Sequence, residues 1–126
     1  MKRNIGSKIA IASLPVLGEN LDSLGNRMIA EYNSEMKRIS EKENVVYLSV
    51  NEKQQNYLNQ EIEGRGKDTI NSQKLAYSSL ILHYLFFMSY DTISRKNGYL
   101  LLTDGIHQNS LGAKFIADEI EVFILT

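Results

Sequence analysis

The sequence predicts an α/β fold with a short parallel sheet and a large helical share, and three observations lead there. Residues 8–14 (KIAIASL) and 45–50 (VVYLSV) are short runs rich in Ile and Val, the composition of strands. Between them Leu24, Met28, Ile29, Tyr32, Met36 and Ile39 recur at helical spacing, so that strand, helix and strand follow with short links, as in a βαβ unit. A second stripe, Leu111, Phe115, Ile116, Ile120, Phe123 and Ile124, closes the chain as another amphipathic helix.

Taken in order, residues 8–14 are apolar or small on both faces, which suits a strand buried on both sides, and Pro15 and Gly18 then break regular structure. Asp22 or Ser23 caps the first helix, whose outer face carries Arg27, Glu31, Glu35, Lys37 and Arg38 and which frays around residues 42–44. Residues 45–50 form the second strand, parallel to the first. Residues 51–72 are polar, with Gly64 and Gly66 at their centre; a helical part is compatible with them, but a mobile loop is expected, and the Gly-Arg-Gly-Lys stretch lacks the spacing of a phosphate-binding loop and does not follow a strand. A long apolar helix is expected over residues 73–96, stopping before Asn97-Gly98. Residues 99–103 (YLLLT) read as a short extended segment, and the last helix opens at Asn109 or Ser110.

Composition bounds the function classes. The 126 residues suffice for one small domain. With 43% apolar and 23% charged residues, a net charge of −1 and no basic stripe, nucleic acid is not an expected partner. The absence of cysteine excludes disulfides, thiolate metal sites and cysteine nucleophiles. No signal peptide is recognised, so a cytoplasmic location is the default. Residues 75–93 are interrupted by Ser78, Ser79, His83, Ser89 and Asp91 and fall short of the roughly 20 apolar residues of a spanning helix, so membrane contact is not expected. His83, set among Leu80, Ile81, Leu82, Tyr84 and Leu85, reads as a hydrogen-bonded structural residue. No cofactor or metal is implied: His83 and His107 are the only histidines and form no HExxH-like pair.

The chemistry-bearing stretch is residues 103–117, TDGIHQNSLGAKFIA. Asp104 and His107 stand three residues apart on a glycine-containing turn before a helix. There the carboxylate can reach one ring nitrogen, fix the tautomer and stabilise the imidazolium, leaving the other nitrogen to take a proton from a hydroxyl nucleophile. Asp-x-x-His alone also arises by chance, with the aspartate merely capping a turn.

The wider block, Asp-Gly-Ile-His followed by Asn109, Ser110, Leu111, Gly112 and an amphipathic helix, resembles the last conserved block of the SGNH (GDSL) ester hydrolases. Upstream, KIAIASLP-x-x-Gly-Glu (residues 8–19) looks like the family's fourth strand and proline loop, Tyr32-Asn33 like part of the following helix, and residues 45–50 like its fifth strand. The resemblance covers the chain except residues 51–98. It implies a partial flavodoxin-like three-layer sandwich, the C-terminal portion of a serine ester hydrolase (lipase or esterase), with Asp104 and His107 as the acid and base of a Ser-His-Asp triad. The family's Gly-Asp-Ser block and its Gly-x-Asn oxyanion block have no counterpart, so the chain alone should be inactive or nearly so. Leu21-Asp22-Ser23-Leu24 echoes Gly-Asp-Ser-Leu but lacks the glycine and falls out of order; Ser7 and Ser13 are poorer candidates still.

A sheet lacking its first strands would leave residues 8–14 with an unpaired edge. A homo-oligomer, most simply a dimer using that edge and the 75–93 helix, is therefore expected, with an ester substrate only if the missing half is supplied. The alternative is a non-catalytic oligomerisation or binding module on a hydrolase-derived scaffold. A nucleotide-binding α/β domain has the right element order but lacks a glycine-rich turn after the first strand.

Overall fold

A computed structural model describes residues 8–61 and 72–126. Its elements are β1 (Ala10–Ala12), α1 (Leu24–Glu43), β2 (Val46–Leu48), α2 (Val50–Gln60), α3 (Ser72–Phe86), α4 (Tyr90–Asn97) and α5 (Ser110–Leu125). The fold is α/β: β1 and β2 pair in parallel, with Ala10 opposite Val46, Ile11 opposite Tyr47 and Ala12 opposite Leu48. Both α1 and α5 pack on β2. The expected strand–helix–strand unit is therefore present.

The first strand is shorter than the seven-residue run proposed for it, and it is not buried on both sides. Ile9 is 59% and Leu14 42% exposed. Among the described residues β1 has one neighbour, so one of its edges carries no strand.

Helix α1 starts where expected, with Ser23 accepting from Asn26 N–H (3.2 Å) as N-cap, and ends at Asn44 in the left-handed conformation. The orientation of its apolar stripe corrects the expectation: Leu24, Met28, Tyr32 and Ile39 are exposed, while Asn26, Asn33 and Ser40, seven residues apart, are buried. The cause is the backbone of the loop after β1, which leaves N–H and C=O groups without a strand partner. Asn33 accepts from Leu14 N–H (2.7 Å) and donates to Leu14 C=O (3.0 Å). Asn26 does the same for Leu17, at 2.9 and 3.0 Å.

The loop expected from residue 51 is instead helical as far as Gln60, and the run begun as β2 turns into this helix at Val50. Ser13 Oγ accepts from Asn51 N–H (2.8 Å) at its first turn. Its buried face is Val50, Asn51, Gln54 and Leu58. Gln54 joins three elements: it accepts from Val16 N–H (3.0 Å) and donates to Gln108 Oε1 (2.8 Å) and Gly112 C=O (3.2 Å). The glycines of the Gly-Arg-Gly-Lys stretch lie outside the described residues.

The single long helix expected over residues 73–96 is two helices. It breaks at Phe87, whose φ of +53° ends α3, and Ser89 restarts the chain by accepting from Thr92 N–H (3.2 Å) as the N-cap of α4. The stop before Gly98 is as expected, with Gly98 left-handed (φ 76°) at the C-cap. Tyr77, Ile81, Tyr84, Leu85, Phe86 and Phe87 of this hairpin are exposed rather than buried. His83 Nδ1 donates to Met88 C=O (2.8 Å), and its ring stacks on Tyr90 (4.1 Å between centroids).

Residues 99–102 make no strand, only an antiparallel bridge between Leu102 and Gln108, yet they occupy the centre of the protein. Val16, Leu58, Tyr99, Leu101 and Leu102 form the buried core, with Leu21, Tyr57, Leu75, Leu100, Leu111 and Phe115 packed around it. The core thus sits between the proline loop, α2 and α5, directly beneath the segment that carries Asp104 and His107.

Candidate active site

The site is built on the loop between α4 and α5. Thr103 N–H donates to His107 C=O (2.7 Å) and Asn109 N–H to Leu101 C=O (2.9 Å), closing residues 102–108 into a narrow turn. Gly105, at φ 94°, takes a backbone conformation that a side chain would strain, and its C=O accepts from Gly18 N–H (2.8 Å). Asn97 Nδ2 fixes the near side by donating to Thr103 C=O (2.8 Å).

Asp104 lies inside this turn, 3% exposed. Its Oδ1 accepts from Ile106 N–H (3.0 Å) and His107 N–H (2.9 Å), and its Oδ2 lies 2.7 Å from His107 Nδ1. With both backbone bonds taken by Oδ1, the second oxygen is aimed at the ring. The His107 side chain is 70% exposed against 4% for that of Asp104. Among the described residues no group bonds its Nε2. The pair singled out in the sequence is therefore brought together, with one nitrogen engaged and the other open.

Asn109 ties the turn to α5. Its Oδ1 accepts from Gly112 N–H (2.9 Å) as N-cap, while Nδ2 donates to Leu100 C=O (2.8 Å) and Ser94 Oγ (2.8 Å). Ser94 Oγ in turn donates to Leu102 C=O (2.7 Å). Asp91 accepts from Ser110 N–H (2.9 Å), and this bond, with the Ser110 hydroxyl and Arg95, holds its carboxyl below the usual carboxylate range. Tyr47, the middle residue of β2, is pushed up to about 12 by burial and by its hydrogen bond to Glu52.

Two groups that the sequence reading did not assign to the site support it. Glu19, 1% exposed, accepts from the N–H groups of Leu100 (2.9 Å), Leu101 (2.7 Å) and Leu102 (3.1 Å). Gln54 braces Gln108 from α2. The sequence signal for Glu19 is the Gly-Glu pair after the proline loop; Gln54 has none.

Neither Ser13 nor Ser23 is hydrogen-bonded to the histidine. Ser23 is a helix cap, and Ser13, 2% exposed, is engaged with the start of α2; Ser7 lies outside the described residues. A cleft of about 450 Å³ is lined by residues including Tyr57, Arg95, Tyr99 and Lys114, but not by Asp104 or His107, so the imidazole opens to solvent elsewhere. Among the described residues no cluster of three or more metal-ligating side chains occurs, and no helix is long and apolar enough to cross a membrane.

Compared with protein-family models, characterised proteins and solved structures, the chain matches none.

Proposed function

We propose that the chain supplies the Asp-His part of a Ser-His-Asp ester hydrolase of the SGNH (GDSL) type, with Asp104 orienting and His107 acting as base and then acid. The observation that carries this reading is the 2.7 Å contact between Asp104 Oδ2 and His107 Nδ1 beside an unengaged Nε2. In the reaction a serine hydroxyl, contributed from outside the described residues, gives its proton to Nε2 as its oxygen attacks the ester carbonyl. Asp104 stabilises the imidazolium. The proton then passes to the departing alkoxide, and water repeats the sequence on the acyl-serine. On this reading β1, β2 and the helices packed on them are part of a flavodoxin-like three-layer sandwich, and the pair lies beyond the carboxyl end of a parallel strand, where such sheets hold ligands.

The ring itself provides the test. Nitrogen-15 spectra of the neutral imidazole should give a proton on Nδ1 and none on Nε2, and p-nitrophenyl acetate should acylate Nε2 slowly, a reaction lost in His107→Ala. A proton on Nε2, or acylation that survives the substitution, would overturn the mechanism.

A second reading is favoured by the exposed apolar surface at β1, α1 and α3: a module that associates with a second copy through the open sheet edge and the helical hairpin. At micromolar concentration, chromatography with light scattering should give a dimer; a well-behaved monomer contradicts association. DNA encoding an in-frame Gly-Asp-Ser block 5′ to codon 1 favours the hydrolase reading, and its absence favours the module.

A further inference from the structure

We propose that Glu19 is the positioning residue of the Asp104–His107 pair, holding the loop that presents it to the segment following β1. The inference rests on the hydrolase reading and adds to it the part of the molecule that sets where the imidazole stands.

The Glu19 carboxylate is placed where three consecutive backbone N–H groups converge. Oε1 takes those of Leu100, Leu101 and Leu102, and Oε2 shares that of Leu100. Successive amides pointing inward form a concave anion site, here occupied by the protein's own carboxylate. Leu101 and Leu102 are fully buried, so their N–H groups have no access to water if the carboxylate is removed. The adjacent residue grips the far end of the same loop through the Gly18 N–H to Gly105 C=O bond (2.8 Å). Gly18 is left-handed, at φ 68°, which lets its N–H and the following side chain address points several residues apart.

Asp104 lies between these two attachments, at Leu102 and at Gly105. The turn is closed locally by Thr103 N–H to His107 C=O, so a shift of residues 100–105 carries the whole Asp-His pair with it. The hydrogen bonds inside the turn fix the shape of the pair. Glu19 and Gly18 fix its location against the segment that follows β1.

The test compares wild type, Glu19→Gln, Glu19→Ala and Val50→Ala, the last a truncation of a buried residue in α2 that leaves the Glu19 hydrogen bonds untouched. The readouts are the population of His107 carrying the Nδ1 proton bonded to Asp104, from imidazole nitrogen-15 and low-field proton signals, and the rate of acylation by p-nitrophenyl acetate, each at a temperature where the protein is folded. Glu19→Gln retains one acceptor oxygen but sets an NH2 group against Leu100 N–H, so the bonded population should fall several-fold; Glu19→Ala should lose it. Val50→Ala should lower the unfolding midpoint and leave the ring as in wild type.

An unchanged ring in Glu19→Gln overturns the inference even if Glu19→Ala does not fold. So does an equal change in Val50→Ala, which would make the effect one of general stability. If the wild-type ring itself lacks the Nδ1 proton, the hydrolase reading fails; if it has the proton and the Glu19 variants keep it, only the role of Glu19 fails.

Discussion

Gly112→Ala is expected to cost roughly 2–3 kcal/mol of stability, against the usual benefit of placing alanine in a helix. A Cβ at this position would fall well inside van der Waals distance of Gln108 Oε1 and of the Leu101 carbonyl oxygen. The glutamine can rotate away, although doing so breaks its bond with Gln54. The carbonyl cannot move cheaply: it accepts from Asn109 N–H and belongs to a residue that is 0% exposed in the core. Relief would require α5 to lift off the loop, loosening the Asn109 cap and the Gln54 bridge together. The gain of about 1 kcal/mol from helix propensity does not offset this. Denaturant titration measures the effect, and an unchanged or raised midpoint would mean that the loop–helix contact is softer than the geometry indicates.

Asp104→Asn is expected to leave the fold nearly intact and to remove the base. The asparagine oxygen can still accept from Ile106 and His107 N–H, as Oδ1 of the aspartate does. Its NH2 group then faces His107 Nδ1 in place of Oδ2. A nitrogen facing a donor must offer a lone pair, so the ring proton moves to Nε2, the atom that should receive the serine proton. In a Ser-His-Asp triad the corresponding change lowers turnover roughly ten-thousand-fold. In this chain, acylation by p-nitrophenyl acetate should drop to the level of His107→Ala while the thermal midpoint moves little. A variant that keeps the wild-type rate would mean that Asp104 does not set the tautomer.

The Asp104–His107 pair was legible in the sequence because it is local: three residues, one permissive glycine and a helix start settle its geometry. The strand–helix–strand order was legible for a similar reason. What escaped was everything held by polar groups acting across the chain. Helix α2 gives no apolar stripe because its buried face includes Asn51 and Gln54, which apolar periodicity does not register. The stripe of α1 pointed the wrong way because Asn26 and Asn33 are drawn inward by the loop backbone. The break at Phe87 carries neither proline nor glycine, and only the Ser89 cap signals a new helix. Glu19 acts on amides more than eighty residues along the chain, a pairing that no local pattern encodes.

The two asparagines of α1 have a consequence for sequence tolerance. Asn33 reads the peptide group at position 14 and takes no account of the side chain there, which faces outward. Position 14 can therefore drift among residue types while position 33 stays fixed. Variants differing at 14 should behave alike, and a change at 33 should unfasten the proline loop whatever residue stands at 14.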